Sequence, residues 1–385
     1  MKTRLRRIVL PAIGGLATGL CAIAAADLKW QVRNAPARTG DLSSAVYGNG
    51  MFVVGGIGEI LSSNDGVNWV SYGTGTGDYL QSAAFGAGRF VLLGGGNSFT
   101  STNGTDWSLT TVFTNNYFSA VTYGAGKFVA LAGGTIDVLP FPPSLAAISE
   151  DGVTWSLSTL TNIDVLFGVT YGAGQFVAVG TGGAIFTSPD GANWSRQYPE
   201  NGVELQAVTY GNGKFAAVGW YRDTNGMVID KLLTSIDGVN WTNATFPTHY
   251  GYEGVAFGSG RFVAVGGGFA SSSVDGLQWQ STLVLPVTGL FNGVCYGNSS
   301  FVAVGSSASI AQATVLGISI GPSPDFGLLV TGPSGKTVNV EWSGAAASAA
   351  GWSLLESVSL TNGAVQVIDS SAGMSEARFY RALLP

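Results

Sequence analysis

A phrase of the form aromatic-Gly-x-Gly/Ser-x-Phe recurs along the chain, beginning at Tyr47, Phe85, Tyr123, Tyr171, Tyr210, Phe257 and Tyr296. The spacings are 38, 38, 48, 39, 47 and 39 residues. A second phrase, Ser-x-Asp-Gly-x-x-Trp, ends at Trp69, Trp107, Trp155, Trp194, Trp241 and Trp279, always 16 or 17 residues before the next aromatic-Gly. Its acidic position holds Asp65, Asp151, Asp190, Asp237 and Asp275, with Asn103 in the second copy. Self-similarity at a period near 40 residues belongs to repeat architectures and governs every other reading of the sequence.

Each unit reads as four short strands between turn residues. In the fifth, the pattern predicts strands over Leu205–Tyr210, Lys214–Gly219, Lys231–Ser235 and Asn240–Thr245. Runs of Val, Phe, Ala and Tyr suit strands covered on both faces, and glycines supply the positive φ of tight hairpins. Four strands per repeat predict an all-β fold, a seven-bladed β-propeller over residues 27–315. The last copy lacks its Trp strand, while an orphan Trp strand, Leu28–Val32, stands at the other end of the chain. Trp30 precedes Tyr47 by the repeat's own 17 residues, so this strand is expected to complete the last blade and shut the ring.

The second phrase resembles the Asp-box, or bacterial neuraminidase repeat, of sialidases, sortilin-type receptors and photosystem assembly factors. The resemblance implies a turn between third and fourth strands, on the face opposite the usual active site. The residues themselves suit a structural role: the Asp accepts N–H bonds within its own turn, and the Trp packs between blades. Sialidases also need three convergent arginines, and Arg38, Arg196 and Arg222 do not assemble such a clamp; the Phe/Tyr-Arg-Ile-Pro motif is absent. Sialidase activity is therefore not expected.

Residues 1–26 read as an export signal: Lys2, Arg4, Arg6 and Arg7, an apolar stretch shorter than a membrane span, then Ala24-Ala25-Ala26. The expected destination is periplasm, cell surface or medium. Removing the signal leaves 13 Lys+Arg against 23 Asp+Glu, a net charge of −10, which disfavours nucleic acid as a partner. It also leaves Cys295 as the single thiol, so neither a disulfide nor a Cys-based metal cluster is expected. Residues 316–327 read as a linker and 328–385 as a small β module resembling C-terminal modules of exported bacterial proteins.

No metal or cofactor signature is present, and the chain reads more readily as a binder than as an enzyme. Four residues before each repeat aromatic stand Ser43, Gln81, Ser119, Phe167, Gln206, Glu253 and Asn292, a register near the start of the innermost strands. The two stretched repeats place their extra residues at Thr135–Leu145 and Trp220–Asp230, both expected as loops. Trp220, Tyr221 and Arg222, with Tyr250 and Tyr252, then offer aromatic faces to a glycan or protein partner. The runner-up is a glycoside hydrolase or lyase using loop carboxylates such as Asp164, Glu204 or Glu253. An assembly factor is the third reading. His249, the lone histidine, has no Ser or Cys constellation to serve.

Overall fold

The computed structural model describes residues 28–36, 40–112, 117–133, 144–160, 165–197, 202–245, 251–282, 289–320, 327–343, 353–368 and 379–384. Two compact units emerge, one formed by Trp30–Gly297 with Phe301–Gln312, the other containing Asn298–Ser300 and Ala313 onward. The export signal lies outside the described residues.

Among the described residues the larger unit is built on seven four-stranded sheets. Six run in chain order; in the first, Leu42–Gly48, Met51–Gly56, Glu59–Ser63 and Val70–Gly73 pair antiparallel. The remaining sheet joins Phe291–Gly297, Ser300–Gly305 and Ser309–Thr314 to Trp30–Arg33 from the other end of the chain. The first strands of the seven sheets contact one another in cyclic order, the last touching the first. The first hairpin of each sheet turns on two left-handed residues, for example Asn49 (φ 50°) and Gly50 (φ 79°), the geometry that matches strand twist.

The glycine of the aromatic-Gly phrase has a packing reason. A Cβ on Gly48 would fall inside the ring of Phe85. The same holds for Gly86 with Tyr123, Gly124 with Tyr171, Gly172 with Tyr210, Gly211 with Phe257, Gly258 with Tyr296 and Gly297 with Tyr47. Each sheet therefore seats its ring on the glycine of the sheet before, around a complete cycle. Within a sheet that ring lies 4.7–4.8 Å, centroid to centroid, from the Phe of the second strand. In the first, second, fifth and sixth sheets the Trp follows at 6.3–6.5 Å. The repeat's three aromatics thus form one row of tilted rings. Trp69, Trp155, Trp194 and Trp241 each pack against apolar side chains of their own sheet and of the one before, the last sheet preceding the first.

The Asp-Gly turns are closed polar units. Asp237 Oδ1 accepts the backbone N–H of Val239 and Asn240 and the Ser235 hydroxyl, and Ser235 Oγ accepts the Gly238 N–H. Trp241 Nε1 donates to the Gly238 carbonyl. These donors hold Asp190 and Asp237 far below the ordinary carboxylate range, and Asp151, through Thr154 and Val153, at about 2. At Asp65 and Asp275 burial pushes the other way, and the N–H donors outweigh it. The second copy reverses its polarity: Asn68 Nδ2 donates to Asp65 Oδ2, whereas Asn103 Nδ2 donates to Asp106 Oδ2. There the Trp107 indole N–H finds no acceptor among the described residues.

Three expectations are corrected. Trp220–Asp230 is not a loop: the hairpin continues as strands Lys214–Arg222 and Val228–Ser235, leaving only residues 223–227 as the turn. Asn240–Thr245 shrinks to Thr242–Asn243. Gly317–Ile320, expected within a linker, is a strand paired with Gly327–Thr331, because Ile318 and Ile320 alternate with small residues. In the smaller unit that pair takes Ala364–Ile368, and Thr337–Ser343 lies between Ser353–Ser359 and Phe379–Leu383. Leu328, Val330, Val338, Val340, Val358 and Tyr380 make its core.

Candidate functional site

The two ends of the larger unit differ in chemistry. At one end lie the Asp-Gly turns, where residues opening the second strands reach the next sheet: Gln175 donates to the Asp237 carbonyl and Lys214 Nζ to that of Asp275. Second strands run from there for six residues or more, about 20 Å at ~3.3 Å per residue, to the other end. The first strands of the sheets begin at that far end, with the register of Ser43, Ser119, Phe167 and Gln206.

Its floor is tightly packed. Three residues before the repeat aromatic the chain carries Ser44, Ser82, Ala120, Gly168, Ala207, Gly254 and Gly293. A Cβ on Gly168 would press on the Ala207 backbone, and one on Gly293 on that of Ser43. Ser44 Oγ donates to the Leu80 carbonyl and Ser82 Oγ accepts the Val121 N–H, both bonds crossing between neighbouring sheets. One residue earlier the ladder slips: Ser43, Ser119, Phe167 and Gln206 are each the extra residue of a β-bulge. A bulge re-aims its side chain out of the pleat, so this register departs from the alternation around it.

Several of these polar side chains serve the backbone. Ser43 Oγ donates to the Leu80 carbonyl at 2.7 Å, Ser119 Oγ to Leu131 at 3.1 Å, and Asn292 Nδ2 to Leu42 at 2.9 Å, which ties the last sheet to the first. Gln81 is exposed and Gln206 half-buried.

Trp220 is the centre of the remaining group. On its own sheet it lies directly across from Glu204 on one side and Asp230 on the other. Its indole N–H donates to Glu253 Oε1 of the next sheet at 3.2 Å, and the Arg222 guanidinium stands 5.8 Å from its ring centroid. Burial pushes the Glu253 carboxyl up, opposed in part by the indole N–H. The Tyr79 phenol is likewise raised by burial, opposed by its bond with the Ser43 side chain and assisted by the charges of Asp41 and Glu253. Tyr79 bridges to Ile57 ahead of the second sheet and Glu253 lies just ahead of the sixth, so the charge of one leading segment acts on the phenol of another. Sequence reasoning missed Tyr79; its signal was the register six residues before the aromatic, which also holds Asp41, Tyr117 and Glu204.

Tyr252 corrects the expectation that it offers a binding face. It is 0% exposed, its hydroxyl bonded to Ser271, because it occupies the core register held elsewhere by Leu42, Leu80, Phe118, Leu166, Leu205 and Phe291. Tyr221 is half-buried against the core between the fourth and fifth sheets. Asp164, His249 and Tyr250 lie outside the described residues. Cys295 is buried, its thiol pushed up by desolvation. No group of three or more His, Cys, Asp or Glu fit to hold a metal occurs among the described residues, and no described helix is long and apolar enough to cross a membrane.

Repeated four-stranded antiparallel sheets whose first strands contact in cyclic order define a β-propeller. Solved structures agree. YCF48 bound to a D1 peptide matches with a TM-score of 0.58 at 15% identity, over 79% of this chain and 99% of that one. A streptogramin B lyase matches at 0.62 and 11% identity, over 75% and 98%. Catalytically inactive virginiamycin B lyase from Staphylococcus aureus with quinupristin matches at 0.60 and 13%, over 75% and 100%. Neither a family model nor a curated protein matches the sequence.

Proposed function

We propose that the chain is an exported, seven-bladed Asp-box propeller with a C-terminal β module, and that it binds a protein segment at the end opposite the Asp-Gly turns. The cyclic seating of seven rings on seven glycines supports the blade count. The observation that carries the binding reading is the Trp220 group: an indole half-exposed among Glu204, Glu253 and Arg222, on a hairpin longer than its counterparts. A large amphipathic ring on a rigid scaffold is the residue type around which recognition energy concentrates. A propeller neighbour that holds a peptide, YCF48 bound to a D1 peptide, supports a peptide over a glycan.

A selection of random linear peptides on immobilised protein starting at Asp27 tests this. Enrichment lost on Trp220→Ala and kept on Ile236→Ser, at the opposite end, is the expected result. Enrichment indifferent to Trp220, or retention of glycans with no peptide, overturns it. The hydrolase reading keeps one favouring observation, two acidic residues at one indole, Glu204 paired with Trp220 across the ladder and Glu253 accepting its N–H. Turnover of chromogenic glycosides abolished by Glu204→Gln or Glu253→Gln would establish it in place of the binding reading.

A further inference from the structure

We propose that this end of the ring receives an organic cation, the ammonium or guanidinium of a Lys- or Arg-bearing segment, held by the Glu253 carboxylate beside the Trp220 indole. The inference rests on the peptide-binding reading and names the chemistry of what enters.

Three independent observations converge on it. First, Glu253 is a mostly enclosed carboxylate whose one hydrogen bond among the described residues is the 3.2 Å contact from Trp220 Nε1. A carboxylate offers about four acceptor positions, so its second oxygen is available to a donor. Its proton affinity is already raised by burial, the mark of a charge short of partners. Second, the indole holds a cation within the chain itself, with the Arg222 guanidinium 5.8 Å from the ring centroid. That shows the ring positioned for cation–π contact, and Arg222 is exposed and donates to the Gly226 carbonyl at the hairpin tip. Third, carboxylates from several sheets, Asp41, Glu204, Asp230 and Glu253, outnumber the cations Arg222 and Lys231 of the same hairpin. Asp41 and Glu253 both act on the Tyr79 phenol, and Glu204 and Asp230 flank Trp220 across the ladder. An anionic group entering here meets like charge, which rejects it, while a cation meets opposite charge in a partly desolvated site. The Asp230 carboxylate is 1% exposed and accepts the Gly251 N–H, so an incoming group does not reach it. Glu253 is therefore the carboxylate placed to accept the incoming donor.

The probes are a blocked pentapeptide with one central Lys flanked by glycines, its norleucine and Glu counterparts, and free butylamine. Binding is read by calorimetry and by the Trp220 indole N–H signal, assigned with Trp220→Phe. At low ionic strength the Lys peptide is expected to bind at least about tenfold more tightly than the norleucine peptide, and salt should erase the difference. Glu253→Gln keeps an acceptor for the indole and should bring the Lys peptide down to the norleucine level. Equal binding of Lys and norleucine peptides, preference for the Glu peptide, or no binding by any probe overturns the inference. The salt comparison on the unmodified protein decides the matter even if Glu253→Gln fails to fold. Equal Lys and norleucine binding that is lost on Trp220→Ala removes the cation and leaves the peptide reading standing. Butylamine binding as tightly as the Lys peptide supports the cation subsite and makes a free amine its occupant.

Discussion

Adding one methyl group at Gly86 tests the inter-sheet seating directly. A Cβ there would lie within the Tyr123 ring, at roughly half an ordinary carbon–carbon contact distance of ~3.5–4.0 Å. The ring cannot yield by a small shift, because Phe128 stands 4.8 Å behind it, centroid to centroid. Two routes remain. Strained overpacking costs about 1–3 kcal/mol, and expulsion of the half-buried ring costs somewhat less than the ~3–5 kcal/mol of a fully buried aromatic. Recovering Gly's unfolded-state entropy offsets about 0.5–1 kcal/mol. Gly86→Ala should therefore destabilise by about 2 kcal/mol, read as a lower midpoint in urea. In a Tyr123→Ala background the methyl has room, and the same change should be near neutral, a coupling of about 2 kcal/mol. Gly88→Ala is the internal control, with nothing near its Cβ but a φ of +71°, so it should cost ~1–2 kcal/mol with or without Tyr123. Additivity of Gly86→Ala and Tyr123→Ala within about 0.5 kcal/mol would refute the seating argument.

Further outcomes follow from the polar units. Asn103→Asp sets two carboxylates together with Asp106 and should cost about 0.5–1 kcal/mol; adding Asp106→Asn restores the Asp65–Asn68 arrangement and most of the loss, as thermal unfolding would show. Gln312 is 4% exposed, accepts from Arg33 Nε at 3.0 Å and donates to the Asp65 carbonyl at 2.9 Å, so Gln312→Ala should destabilise by about 1–3 kcal/mol in denaturant titration. Asp151 is depressed to about 2 in the fold, so its contribution is complete above the unfolded value near ~3.9 and drains away as pH falls through about 2; Asp151→Asn should flatten the acid limb of a stability–pH curve. Glu253 has the opposite sign. Its raised value favours the protonated fold, so stability falls as pH rises through it, and Glu253→Gln should gain stability over the unmodified protein at neutral pH and lose that advantage in acid.

The repeat phrases made the sheets, the hairpin turns and the strand exchanged between chain ends legible, because period and turn chemistry are local properties. The aromatic-Gly pair was visible as a pattern while its cause was not: the glycine answers to a ring of the next sheet, 37 to 47 residues on in six cases and 250 residues back for Gly297, a contact that no single window contains. Tyr252 shows the complementary error. Read as one of several nearby aromatics it looked like a binding face, whereas its register, one before Glu253, is the buried position of every repeat. Trp220 was found for a mistaken reason. Length alone marked its segment as a loop, and the alternation of Trp220, Arg222, Val228 and Asp230 that carries the ladder onward was overlooked. The charge of Glu253 acts on Tyr79 across 174 residues of chain, which sequence spacing does not encode.

The pairing of Trp30–Arg33 with Ser309–Thr314 has a consequence for how the molecule is made. Arg33 and Gln312 are 279 residues apart in the chain. Loop-closure entropy grows only logarithmically, each doubling adding ~0.6 kcal/mol, so joining these ends costs less than 2 kcal/mol beyond closing one 40-residue repeat. In time the difference is large. During synthesis the six sheets of consecutive strands can form as they emerge, but the seventh waits for residue 314 with its N-terminal strand already made and unpaired. Until then Trp30–Arg33 is a solitary strand, so the arrival of Ser309–Thr314, rather than any earlier sheet, sets the moment at which the ring becomes resistant to proteolysis.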